Sequence, residues 1–141
     1  MPANDTCVLL WGDGRVGNII FRDFTPVAAL DWEMATVGPP EIDVAWTTFF
    51  QRLWLSTAKR YGLASIPSMF EPQSVIAAYE RLSGRALHDF AWFEAFSGLR
   101  LGIILMRMTY RAIAFGQPRP DDPDHLMNFP ALLAELLDAL C

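Results

Sequence analysis

The chain has 141 residues, 52% of them apolar, and a formal charge of -5 from 11 basic and 16 acidic side chains. That content predicts one folded domain rather than a disordered tail, and without a basic cluster no surface would track phosphates, so nucleic acid is excluded as a partner. Cys7 and Cys141 have no metal-type spacing and read as free thiols of a reducing, cytoplasmic compartment, and the first residues lack the basic start and apolar run of an export signal.

Residues 7–10 form a short apolar run that ends at Gly12, Gly14 and Gly17, which predicts a strand feeding a tight loop. Residues 19–21 and 27–30 then flank a turn marked by Asp23, Thr25 and Pro26, a small hairpin whose second strand runs into Asp31-Trp32-Glu33. After Gly38-Pro39-Pro40 the period changes: Ile42, Ala45, Trp46, Phe49, Phe50, Leu53 and Trp54 recur at helical spacing. Further helices are expected over 72–82, with proline in the first turn and Gly84 beyond the end, and over 88–115. The stretch 99–115 is apolar, but Arg100, Arg107 and Arg111 interrupt it, and each would cost about 2.5 kcal/mol or more in lipid. It reads as a core helix with no role in a membrane. Residues 117–124 hold three prolines and three aspartates and form a loop, and a last amphipathic helix is expected over 126–140.

Asp13, Asn18 and Asp31 stand out chemically. Phosphoryl transfer needs a carboxylate to orient the attacking hydroxyl and oxygen ligands to hold Mg²⁺ against the phosphates. An Asp, an Asn five residues on, and an Asp closing the next hairpin supply those oxygens, and the intervening glycines let the loop curl back on itself. By itself an Asp-x4-Asn pair equally suits a loop capped by its own side chains.

The ordered set Trp11-Gly12-Asp13 with Asn18, Asp31-Trp32-Glu33, Gly38-Pro39-Pro40 and Asp43-Val44-Ala45 resembles the aminoglycoside phosphotransferase and choline kinase group, which shares the protein-kinase catalytic core. The resemblance implies an α+β, mainly helical fold over residues 1–141: a kinase-like C-terminal lobe in which a small β-hairpin carries the catalytic loop. It makes Asp13 the catalytic, hydroxyl-orienting base and Asn18 and Asp31 the Mg²⁺ ligands. Asp43 would hold the loop through backbone hydrogen bonds, and Trp11 stands where the family has a buttressing histidine. Arg15 would touch substrate or phosphate. Glu33 would touch metal or water, against the plainer reading of an ion pair or a solvated strand end.

The implied activity is an ATP-dependent phosphotransferase acting on a small-molecule hydroxyl. Leu30 to Thr36 look most like the branch found alone in bacteria or fused to acyl-CoA dehydrogenase domains, which implies a hydroxyacyl thioester or similar metabolite. Asp13 comes almost at the start and the only lysine is Lys59, so the N-terminal ATP-binding lobe is expected to be absent and supplied by a longer product or a partner chain. The alternative is a catalytically silent lobe acting as a binding module, dimerising through apolar surface.

Trp32, Trp46, Trp54 and Trp92 are expected in the core, His88 and His125 at the surface or in caps, Arg100, Arg107 and Arg111 on one solvated helix face, and Asp121, Asp122 and Asp124 in a solvated turn rather than a calcium site.

Overall fold

Two short antiparallel ribbons precede four helices in the computed structural model, which describes residues 2, 6–69, 71–119 and 129–140. Strand β1 (Val8–Leu10) leads into the glycine-rich loop, which closes in one 3₁₀ turn at Val16–Asn18, followed by β2 (Ile19–Arg22), β3 (Thr25–Ala29) and β4 (Thr36–Gly38). β2 pairs with β3, as the sequence predicts, but β1 pairs with β4, Leu9 facing Val37 and Leu10 facing Thr36. Three residues carry no readable period, so β4 was not expected; only its long-range partner makes it a strand. The β1–β4 ribbon clamps both ends of the segment that holds the loop and the hairpin.

The hairpin turn is tighter than its composition suggests. Asp23 (φ 49°) and Phe24 (φ 60°) are both left-handed, the two-residue turn whose twist matches the flanking strands, while Thr25 and Pro26 belong to β3. A bulge between Ile20 and Phe21 lets Pro26, which has no N–H to give, sit opposite Phe21 in a two-stranded ribbon without a central position.

Helix α1 (Glu41–Tyr61) starts directly after Pro39-Pro40, with Glu41 and Asp43 in its first turn, where the helix dipole favours negative charge, and ends at the left-handed Gly62. α2 (Pro72–Ser83) is capped by Glu71, whose carboxylate accepts the Ser74 N–H at 2.8 Å, and stops at Gly84. α3 (Phe90–Ala114) and α4 (Pro130–Asp138) complete the chain.

The core lies among α1, α3 and α4 and consists of Trp46, Phe49, Ala95, Leu101, Phe129, Leu132, Leu133 and Leu136. Gly98 makes that approach possible, since a Cβ there would come within 3.1 Å of Leu133 and 3.3 Å of Phe49. Beside the core, the buried Glu94 accepts from Thr48 Oγ1 (2.9 Å) and Arg52 Nη1 (3.1 Å), and Arg52 reaches on to Glu135 of α4 at 2.9 Å.

Of the four tryptophans expected inside, only Trp46 is a core residue. Trp32 and Trp54 are 47% and 54% exposed, and Trp92 is half-buried, stacked on Phe96. The small two-stranded ribbons give Trp32 no second layer. The expectations for Asp121, Asp122, Asp124, His125 and Cys141 lie outside the described residues, and Cys7 is an exposed free thiol. Among the described residues no helix is long and apolar enough to cross a membrane.

Candidate functional site

The loop between β1 and β2 is shaped by its backbone contacts with two other segments. Gly12 takes φ 88° and lies flat on the Met34 backbone, so closely that any Cβ would collide with it. The Asp43 carboxylate at the start of α1 accepts both loop amides, Trp11 N at 2.6 Å and Gly12 N at 2.9 Å. One turn along the same face, Thr47 donates to Gly14 O at 2.7 Å. Two consecutive amides on one carboxylate fix the two peptide planes on either side of Trp11, just ahead of Asp13.

Asp13 has a side chain only 14% exposed and its two oxygens accept three bonds. Trp46 Nε1 donates to Oδ1 at 2.9 Å, and Asn18 Nδ2 (2.7 Å) and Arg15 Nε (2.9 Å) donate to Oδ2. Burial alone would push its carboxyl up, but the hydrogen bonds from Trp46, Arg15 and Asn18 and the Arg15 charge outweigh burial and hold it below the ordinary carboxylate range. Asn18, 7% exposed, also donates to the Asp13 carbonyl at 3.0 Å, so its amide nitrogen is committed to Asp13 and its Oδ1 faces away from it.

Asp31 is tied to this pair through its neighbour. Leu30 N donates to Asn18 O at 2.8 Å, and Leu30 O accepts Trp11 Nε1 at 2.7 Å, which also stacks Trp11 on Trp32 at 5.7 Å. Asp31 itself is left-handed (φ 62°) and exposed. Glu33 is exposed in the following turn, and among the described residues no ion pair involves it.

Two residues of the site were not legible as such. Trp46 was assigned to packing, yet it lies three residues after Asp43 and four before Phe50, so helical spacing places its indole over the same loop that Asp43 holds. Arg100 was expected on a solvated stripe with Arg107 and Arg111. Those two are exposed, whereas Arg100 turns inward: its guanidinium lies 4.4 Å over the Trp46 ring and Nη2 donates to Gly12 O at 3.0 Å. Burial lowers its pKa, opposed by the nearby charges of Asp43 and Asp13.

On the Gly14–Arg15 side of the loop opens a cleft of about 510 Å³, walled by Gly14, Arg15 and Trp11 from the loop, Thr47 from α1, and Val75 and Tyr79 from α2; Asp13 itself does not line it. Its walls are largely apolar. Asp43 also borders it, but both of its oxygens serve the loop amides, so Arg15 is the charged group there with donors to spare.

Residues 1–84 match the family model described as "Phosphotransferase enzyme family". Acyl-CoA dehydrogenase family member 11 of Pongo abelii is 31% identical over 147 residues, covering 96% of this chain and 18% of that protein; the Homo sapiens protein of the same name is 31% identical over 146 residues with the same coverages. The Gallus gallus protein of that name is 37% identical over 67 residues, 46% of this chain and 8% of its own length. A crystal structure from Ralstonia eutropha JMP134, named as a candidate aminoglycoside phosphotransferase, shares the fold at a TM-score of 0.69 and 23% identity, covering 94% of this chain and 41% of that one. The chain thus spans less than half the length of each of these four proteins.

Proposed function

The chain belongs to the phosphotransferase enzyme family, and from that membership we propose that it carries the catalytic loop of an ATP-dependent small-molecule kinase. The observation that carries the reading is the hydrogen-bonded pair Asp13 and Asn18, set on a loop whose amides are held by Asp43. A carboxylate has about four lone-pair directions, and three around Asp13 are filled by protein donors. The one left on Oδ1 receives the acceptor's O–H. Because the carboxyl is held below its ordinary range, Asp13 is a poor proton acceptor in the ground state; it acts first by aligning the hydroxyl and takes the proton late, as the attacking oxygen loses electron density.

The residues present fit a magnesium ion shared with nucleotide phosphates. Asn18 Oδ1 and the exposed Asp31 carboxylate are hard oxygen donors, and Mg²⁺ commonly takes only one or two carboxylates, completing its shell with waters and phosphates. Among the described residues no group of three His, Cys, Asp or Glu is gathered for a metal, and a shared magnesium does not call for one. Bound there, the ion would neutralise charge on the transferring phosphoryl group.

The nucleotide's other contacts come from a further lobe, in a longer product or a partner chain. Leu9 and Val37, paired across β1 and β4 and both about two-thirds exposed, support that reading as surface fit to be covered. The acceptor is a metabolite hydroxyl on an apolar body. The cleft's apolar walls support it, and Arg15 as the available charge disfavours a polycation. The likeness to acyl-CoA dehydrogenase family member 11 supports a hydroxyacyl thioester or a related compound. The exposed thiol of Cys7 suits a reducing cytoplasm.

Incubating the chain together with that nucleotide-binding lobe, in the longer product or with the partner chain, with Mg²⁺, ATP and a panel of hydroxylated acyl thioesters, followed by ³¹P NMR, tests the reading. New phosphoester is expected, and it should vanish in Asp13→Asn while the fold persists; turnover retained in that variant would refute the assignment. A second reading, a silent lobe that serves as a binding module, draws on the same exposed Leu9 and Val37. It predicts no calorimetric binding of ATP with Mg²⁺, together with dimerisation in sedimentation.

A further inference from the structure

We propose that Arg100 is a positioning residue that aims Asp13 from helix α3, acting through Trp46 and Gly12 rather than touching substrate. Its guanidinium carbon lies 4.4 Å from the Trp46 ring centroid, and the Trp46 indole N–H is the donor that holds Asp13 Oδ1 at 2.9 Å. The same guanidinium donates to Gly12 O at 3.0 Å and approaches Met34 Sδ at 3.6 Å. Gly12 therefore has its N–H fixed by Asp43 and its carbonyl fixed by Arg100, immediately before Asp13 in the chain.

The chemistry of the side chain suits the task. A guanidinium is flat: its face stacks on an indole while its edge donates in plane, two things a lysine ammonium cannot do at once. The helix that carries it is itself held fast. Ser97, Gly98 and Leu101, which flank Arg100 on α3, are buried, and at Gly98 the helix lies so close to Phe49 and Leu133 that a Cβ would crowd both. Arg100 thus couples the α1–α3–α4 core to the carboxylate, and it does so across 88 positions of sequence. The nearby charges of Asp43 and Asp13 oppose the lowering of its pKa by burial.

The proposal rests on Asp13 being the group that aims the acceptor hydroxyl, and its test does not depend on turnover. In the 141-residue chain labelled with ¹⁵N, the Trp46 indole N–H resonance is identified by its loss in Trp46→Phe. Arg100→Gln and Arg100→Lys should each move that resonance, at a thermal midpoint that keeps the chain folded. Arg107→Gln, on the exposed face of the same helix, should leave it in place. If Arg100→Gln leaves the resonance unmoved, or if Arg100→Lys restores it fully so that charge alone suffices, the proposal is overturned. Where phosphotransfer is measurable, Arg100→Lys should lower kcat at least tenfold with KM within about twofold, because an aligning role is expressed in the transition state; an equal rise in KM with kcat unchanged would count against it.

Discussion

The indole N–H of Trp46 lies 2.9 Å from Oδ1 of Asp13, so a side chain only 2% exposed joins the helical core to the loop carboxylate. Replacing it by phenylalanine keeps most of the ring packing against Phe49 and Phe50 and deletes that one donor. A hydrogen bond to a charged group contributes about 1.5–3 kcal/mol, so Trp46→Phe should lower stability by roughly that amount in urea denaturation. It should also raise the Asp13 pKa, read by carboxyl ¹³C NMR, because a bond that favoured the ionised form is gone.

The acid limb of the stability curve should carry the signature of Asp13. Its folded carboxyl titrates below the ordinary 3.8, so the native state binds this proton less readily than the unfolded chain. The contribution is fully present above the unfolded value and is lost as pH falls through the folded one. Wild type should therefore lose stability more steeply than Asp13→Asn below about pH 4. Parallel curves for the two proteins in that range would show that Asp13 is not held ionised.

Asp43→Ala should loosen the loop without touching the core. It strands the Trp11 and Gly12 amides, each a buried or half-buried donor costing about 1–3 kcal/mol when left unpaired. Asp43→Asn keeps one acceptor and should fall between. Hydrogen exchange at those two amides reads the effect directly, with at least tenfold faster exchange in the alanine variant.

Gly12→Ala and Gly62→Ala separate backbone strain from collision. Both glycines are left-handed, but a Cβ at Gly62 meets open space whereas one at Gly12 runs into the Met34 carbonyl. Gly62→Ala should cost about 1 kcal/mol, and Gly12→Ala at least about 2 kcal/mol more, with loss of the Trp11–Trp32 stacking signal in near-ultraviolet circular dichroism.

What could be read in advance follows from the range over which each signal acts. α1, the hairpin and the α2 stop at Gly84 are written locally, in period, proline and glycine. The loop's polar residues could be picked out because they cluster within a few positions of one another. β4 and Arg100 could not: a three-residue strand and a single arginine in an apolar helix acquire meaning only from β1 and Gly12, which the fold brings back from far along the chain. Trp46 is intermediate. Its spacing from Asp43 was visible, but an indole looks the same in sequence whether it only packs or also donates.

A three-membered ion network lies beside the core. Arg52 bridges Glu94, whose side chain is 8% exposed, and Glu135, which is 68% exposed. Deleting the exposed partner releases a pair that water already screens, so Glu135→Ala should cost no more than about 0.5 kcal/mol. Deleting Arg52 instead leaves a buried carboxylate with Thr48 as its remaining side-chain donor, and Arg52→Ala should cost about 2–4 kcal/mol, somewhat less than a fully buried pair because Arg52 itself is partly wet. The loss comes mainly from the stranded charge, so Glu94→Gln in the Arg52→Ala background should recover a good part of it. A double-mutant cycle by chemical denaturation measures this, and if the second substitution makes the protein still less stable, Arg52 acts through its packing rather than its charge.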